Sequence, residues 1–270
     1  MSKHLFFIFY FLFSIFRFSF AGDNSPLGAR SAAMANASVM FADVWSVQNN
    51  QAGLGFMKKI STGVFYETRF MLNELATNAA AVVIPIKSGT FGVSVSNFGC
   101  SLYSENKYGL SFGKSFGKIF SAGIQMDYLT TKISNDYENK NILAAEVGIQ
   151  TKPLKNFTIG AHIFNPTRTR IAIYNDERIP TIIRFGFDYK FSEKVFIAVE
   201  TEKDIDRKGN IKAGIEYCPI TQFYLRAGVT NNLSCFGIGV NFKRFQLDIS
   251  SSFHSVLGIS SQVGLSYEFE

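Results

Sequence analysis

The sequence predicts an all-β fold: a 14-stranded antiparallel transmembrane β-barrel with a short N-terminal plug segment in the lumen. Three observations carry this expectation. Apolar side chains alternate with period two through most of the 270 residues. The N-terminus carries the marks of export, and the alternating runs are close to the roughly 9 to 11 residues that a tilted membrane strand requires.

The first element is the export signal. Lys3 and His4 precede an apolar run from Leu5 to Phe16, and Ser19-Phe20-Ala21 offers small residues at the positions a signal peptidase reads. The run reaches only about 12 residues before Arg17, whereas a spanning helix needs roughly 20. Residues 1–21 are therefore expected to be removed, leaving residues 22–57 as an N-terminal plug segment and residues 58–270 as the outer-membrane β-barrel. No Cys follows the small residues, so a lipid at the new N-terminus is not indicated.

Removing Lys3 and Arg17 from the 27 basic residues leaves 25 against 21 acidic ones, a net charge of +4. That excess is small and scattered, which excludes nucleic acid as a partner. Cys100, Cys218 and Cys235 sit inside strand-like runs at no metal-ligand spacing. Their odd number argues against a disulfide framework and leaves open a single Cys218–Cys235 bridge.

The strands follow from about residue 60 onward. Phe236, Ile238, Val240 and Phe242 alternate with Cys235, Gly237, Gly239, Asn241 and Lys243 without a slip, and the same split runs through 183–191, 211–217 and 223–229. Clusters of Asn, Asp, Gly, Lys and Pro divide the chain into strands at 60–70, 76–86, 90–97, 107–116, 119–130, 142–152, 157–164, 180–191, 194–202, 210–218, 222–229, 234–243, 246–253 and 259–269. Alternation alone does not say which face is inside. A secreted sandwich buries its aromatic face, whereas a membrane barrel turns that face to lipid. Export, strand length and a second face rich in Gly and Ser favour the barrel, whose crowded lumen accommodates small residues. Val263, Leu265, Tyr267 and Phe269 alternate to the penultimate residue, resembling the aromatic-ended last strand of outer-membrane barrels, from which Glu270 departs. Closure is required because hydrocarbon leaves no partner for an unpaired sheet edge.

Reactive chemistry is not expected. Gly109-Leu110-Ser111-Phe112-Gly113 matches G-x-S-x-G, but Ser111 lies on the small face of an alternating strand rather than on a strand-turn-helix elbow. Gly113-Lys114-Ser115 lacks the glycine of a phosphate loop five residues earlier, where Tyr108 stands. His162 and His254 have no neighbouring carboxylate or Cys at ligand spacing. Glu200 and Glu202, or Asp204 and Asp206, are paired carboxylates, and the latter read as a solvated hairpin loop with too few ligands for calcium. No catalytic residue, cofactor or metal is assigned. Arg184, Asp188, Glu200, Lys212, Glu216, Arg226, Lys243 and Asp248 are the lumen-facing charges. Their interleaved signs favour mutual pairing over a selectivity surface or a clamp on the plug.

Residues 28–55 read GARSAAMANASVMFADVWSVQNNQAGLG. Ala29 to Met40 suits a short helix, Asp43 can cap a second turn before Trp45, and Asn49, Asn50, Gly53 and Gly55 suit a tight reversal. So little apolar surface cannot fold alone, and the lumen is the available place. Gly28-Ala29-Arg30-Ser31-Ala32-Ala33-Met34, Phe41-Ala42-Asp43 and Asn50-Gln51-Ala52-Gly53-Leu54 resemble the N-terminal signature of the PorV/PorQ-like proteins, within the FadL-type outer-membrane barrels of Bacteroidetes. The plug motif is then Gly28, Arg30, Met34, Asp43, Trp45, Asn50, Ala52 and Gly53. Gln51 stands where that signature has Pro, and Ala35 and Asn36 replace a Gly pair. The resemblance implies a non-enzymatic accessory of type IX protein secretion or surface attachment. Its partners would be outer-membrane lipids together with secretion-translocon components or cargo C-terminal domains. The FadL-like alternative is a channel for a hydrophobic ligand, with Met34, Met40, Phe41 and Trp45 lining an apolar pocket.

Overall fold

Each alternating run becomes one strand of a single closed sheet. The computed structural model describes residues 24–134, 139–170 and 178–270, so the expected signal peptide lies outside the described residues. The strands are β1 Ser61–Thr68, β2 Ala76–Ile86, β3 Gly89–Gly99, β4 Tyr103–Phe116, β5 Phe120–Ile133, β6 Lys140–Leu154 and β7 Phe157–Phe164. They continue as β8 Ile182–Lys190, β9 Val195–Asp204, β10 Asn210–Ile220, β11 Phe223–Val229, β12 Leu233–Phe242, β13 Phe245–His254 and β14 Gly258–Glu268. Every neighbour is antiparallel, and β1 closes on β14 from Ser61↔Glu268 to Thr68↔Ser261. β4 begins earlier than the hydropathy pattern suggested. Ser104, Glu105, Asn106 and Lys107 are polar on both faces, so alternation fades there while the ladder to β3 and β5 continues.

The apolar face points outward. Leu110, Ile124, Phe236 and Phe242 are 58%, 60%, 64% and 65% exposed, whereas Gln150, Arg184 and Glu200 are buried inside. This inversion of the soluble pattern is stable only in hydrocarbon, where the outer side chains meet lipid and the closed ladder satisfies the backbone. The chain is an outer-membrane barrel. The start of β1 and the end of β14 share one rim, where the connections 87–88, 117–119, 155–156, 221–222 and 243–244 are short. The opposite rim carries longer ones, 69–75 and 205–209 among them. Short turns mark the periplasmic side and long loops the extracellular side.

One sequence expectation needs correction, and one pairing that the sequence left open is decided. Lys243 does not face the lumen: Phe242 pairs with Phe245, which leaves Lys243 exposed in a two-residue hairpin with φ 57°, the backbone such a turn requires. Cys218 and Cys235 do not pair, and all three cysteines are free. They stand on β10 and β12 with β11 between them, and two strand spacings of about 4.8 Å each exceed the reach of a disulfide.

The lipid-facing assignment is tested by depth. Leu110→Arg, midway along β4, is expected to cost about 2 to 4 kcal/mol of folding free energy in a bilayer, and Phe242→Arg at the rim about 0 to 1. Denaturant titrations of folding into lipid vesicles read both.

Candidate functional site

The candidate site is the interior of the barrel, occupied by residues 24–57 of the chain's own N-terminal segment. Gly28, at φ 104°, leads into helix α1, Ala29–Ala33, and a Cβ there would strike the Trp45 ring. The helix is shorter than the expected run to Met40. Ala35 and Asn36 take φ of 55° and 62°, and the Asn36 N–H donates back to the Ser31 carbonyl at 2.8 Å, which ends the helix in a left-handed turn. Both take the left-handed backbone that glycine adopts without penalty. Asp43 Oδ1 accepts from the Trp45 N–H at 2.9 Å ahead of helix α2, Ser46–Asn49. Asn50 Oδ1 accepts from Ala52 N–H at 3.1 Å and starts a 3-10 turn, Gln51–Phe56, in place of a simple reversal. A Cβ on Gly53 would collide with Ser46.

The wall meets this segment with rows of glycine. Gly113, Gly123 and Gly148 are in register across β4, β5 and β6; Gly160 pairs with Gly186 across β7 and β8, and Gly214 with Gly228 across β10 and β11. A side chain at Gly113 or Gly123 would overlap the Gln51 backbone, at Gly148 the Asn50 amide, at Gly160 Val39, and at Gly214 or Gly228 Met34. Luminal backbone therefore lies directly on wall backbone, and Val39, Val47, Ala52 and Leu54 have no exposed surface.

Polar anchors fix the segment between these contacts. Glu200 on β9 accepts the Ser38 and Val39 backbone N–H groups, each at 2.8 Å, and takes Lys212 Nζ at 3.1 Å. Arg30 makes a two-pronged pair with Glu216 at 2.9 and 3.0 Å; Arg226 joins Glu216 and Asp248, both at 2.6 Å. The Arg30 guanidinium also lies 4.5 Å from the Phe41 ring centre and 3.8 Å from Asp43. Burial opposes charge on both groups. At Arg30 the Glu216 carboxylate outweighs it and holds the guanidinium more basic than usual, whereas at Asp43 burial prevails over Arg30 and raises the carboxyl.

A third anchor was not legible in the sequence. Gln51 Nε2 donates to Glu146 at 2.6 Å, and the same carboxylate takes His162 Nε2 at 2.8 Å and Lys107. Arg184 donates to His162 Nδ1 at 3.0 Å, so the ring proton sits on Nε2 and goes to Glu146. Lys107 also reaches Asn24 at 2.8 Å, and Gln150 donates to the Val39 and Phe41 carbonyls at 2.9 and 3.0 Å. The available signal was Gln, His and Glu placed among Gly and Ser on one strand face.

Of the luminal charges, Glu200 pairs with Lys212, and Glu216 and Asp248 pair with Arg226, while Glu200 and Glu216 also grip the segment; Arg184 is buried against His162, and Asp188 is buried outside these pairs. Met34, Met40 and Phe41 form one apolar cluster, Trp45 another with Leu27, Val47, Leu54 and Phe65. The four do not line one pocket: Met34 and Met40 are spent on the glycine contacts. Ser111 Oγ donates to the Gly92 carbonyl at 3.1 Å, and His254 Nδ1 accepts turn N–H groups of Val256 and Leu257. Glu202 pairs with Lys212 at 2.7 Å, and Asp204 with Arg207 at 3.4 Å, in the hairpin expected there. Among the described residues, no three His, Cys, Asp or Glu side chains converge as metal ligands.

No family model matches the chain, and no curated protein does. Solved structures share its fold. The monoaromatic hydrocarbon channel CymD superposes with a TM-score of 0.72 at 11% identity, over 93% of this chain and 99% of the channel. The P. putida toluene transporter TodX gives 0.70 at 12%, over 92% and 100%, and a Pseudomonas aeruginosa FadL homologue 0.63 at 11%, over 90% and 98%. The fold is that of FadL-type outer-membrane barrels.

Two substitutions test the site. Glu200→Ala leaves the Ser38 and Val39 N–H groups without their acceptor and Lys212 with Glu202 as its remaining carboxylate, and a loss of about 3 to 5 kcal/mol is expected, read as faster hydrogen exchange at residues 36–41. Gly148→Val keeps a strand-forming residue but occupies the Asn50 position; the barrel is expected to fold, judged by heat-modifiable gel mobility, while residues 24–57 become cleavable by added protease.

Proposed function

We propose that this chain is a channel for small hydrophobic molecules, with residues 22–57 as the plug of its lumen and the motif Gly28, Arg30, Met34, Asp43, Trp45, Asn50, Ala52 and Gly53 seating that plug. The channels of like fold are named for toluene and monoaromatic hydrocarbons, and a FadL homologue stands with them. The observation that carries the reading is an apolar sector of the wall. Inside, Phe65, Ala79, Ala81 and Val83 pack with Leu27, Trp45 and Val47. Outside, over the same strands, a groove of about 480 Å³ is lined mainly by Val64, Tyr66, Ala80, Val95, Val263 and Leu265, with Asn78 and Asn97 at its extracellular end.

Alanine makes this sector thin. A solute that displaces the Trp45–Phe65 edge contact, with ring centres 5.8 Å apart, stays against apolar surface on both sides of β2 and never meets the charged anchors. Taking its apolar area out of water supplies about 25 cal/mol per Å² once, on entry, and the later steps pass between apolar surfaces, so the path needs no coupled ion.

The second reading is an accessory role in type IX secretion or surface attachment, touching translocon components or cargo C-terminal domains. The fit of residues 28–54 to the PorV/PorQ-like signature favours it.

One comparison separates the two. A deletion strain is expected to take up toluene or a similar apolar solute more slowly and to recover with the wild-type gene. The Ala80→Trp variant, which fills the outer groove, is expected to restore protein level but not uptake. Unchanged uptake with loss of secreted or surface-attached proteins would reject the channel for the accessory role. Intact mass of the purified protein is expected to begin at Gly22, in keeping with removal of residues 1–21.

A further inference from the structure

The outer wall carries a second feature that a channel does not use. At one height on adjacent strands β2 to β6, the outward side chains are Asn78, Asn97, Asn106, Thr130 and Asn141, in register from strand to strand. Asn97 donates to Asn106 Oδ1 at 2.7 Å and Asn106 to Thr130 Oγ1 at 3.2 Å, so the middle of the row is a hydrogen-bonded ladder flanked by Asn78 and Asn141. Counted from their periplasmic ends, Asn106 is the eleventh residue of β4 and Thr130 the eleventh of β5. About 9 to 11 residues cross the hydrocarbon, which puts the ladder at the extracellular edge of the membrane.

Outward amides are confined to this side; elsewhere near this height the outer face offers Ser251 and Ser261 hydroxyls and the Lys203 ammonium. Ile183, Ile211, Val229 and Phe253 set an apolar side chain within a residue of the extracellular ends of β8, β10, β11 and β13. β4, β5 and β6 are also longer, with 14, 14 and 15 residues against 7 to 11 in β8 to β14. The wall stands taller here, and its extra height is lined with amides.

Within the band lies a cleft of about 470 Å³ formed by Asn106, Tyr108, Tyr128, Thr130, Lys132 and Asn141. Tyr108 and Tyr128 are 48% and 43% exposed, with ring centres 6.3 Å apart. Leu143 stands level with the rings, and immediately below them Leu110 and Met126 continue the apolar wall. From the top down, the face presents an ammonium, amides with a hydroxyl, two aromatic rings and then aliphatic surface.

We infer that this cleft binds a glycolipid of the outer leaflet. Amides and hydroxyls donate and accept for sugar hydroxyls, the exposed tyrosine rings offer an apolar face to a sugar ring, and Lys132 meets an anionic substituent. The acyl chains then run down Leu110, Met126, Ile124 and Val147. A phospholipid headgroup would use Lys132 alone and leave the ladder unmatched.

The test uses the full-length mature protein in nanodiscs containing phosphatidylethanolamine, phosphatidylglycerol and a rough lipopolysaccharide, with retained lipid identified by native mass spectrometry. Wild type is expected to keep the lipopolysaccharide in preference to both phospholipids. Asn106→Ala/Thr130→Ala/Asn141→Ala is expected to retain about tenfold less, the worth of two or three lost hydrogen bonds. Ser251→Ala/Ser261→Ala, on the outer face of β13 and β14, is expected to retain as much as wild type. Equal retention of phosphatidylglycerol by the wild type would overturn the proposal in favour of charge alone. So would undiminished retention by the triple variant, and the wild-type comparison stands even if that variant folds poorly.

Discussion

Close approach of the N-terminal segment's peptide backbone to the peptide backbone of the wall governs the rest of the structure. It exists because glycines on neighbouring strands fall in register, as with Gly113, Gly123 and Gly148. A single Cβ in any of these rows would hold the segment away and open the contact. With the backbones touching, Glu200 reaches the Ser38 and Val39 N–H groups, Gln150 reaches two carbonyls, and Gln51 meets Glu146. Packing comes first, and the polar geometry depends on it.

The buried ions follow a consistent logic. Removing a charge from water costs several kcal/mol, roughly, unless a partner and further hydrogen bonds replace the solvent. Glu216 lies between Arg30 and Arg226, and Glu146 between Lys107 and His162. Each of these carboxylates serves two masters, one of them the segment or a residue that touches it. The segment is thereby held in one register along the wall, which apolar contact alone does not define.

Much of the barrel was legible in the sequence because a two-sided environment writes a two-sided pattern. Phe236, Ile238 and Val240 face lipid, Gly237 and Gly239 face the lumen, and the alternation records both solvents. The Gly and Ser of the inner face were legible as small. Their alignment into rows was not, since register between strands is a property of pairs. Helix α1 was misjudged in length because Ala35 favours helix and only the turn at φ 55° overrides it. Lys243 continued the periodicity into a hairpin that hydropathy cannot sense. The partners of Gln51 lie 95 residues away at Glu146, beyond any local pattern.

A filled lumen also determines what the outer membrane keeps out. At the level of Val39, Val47, Asn50, Gln51 and Leu54 the interior side chains have no solvent contact, so no column of water runs past them there. A hydrated ion or a polar antibiotic would have to shed its water to pass that level, at the cost that keeps such species out of hydrocarbon. An open porin of similar strand number admits them freely. On the plug reading proposed above, a cell carries many copies of this barrel and stays electrically tight.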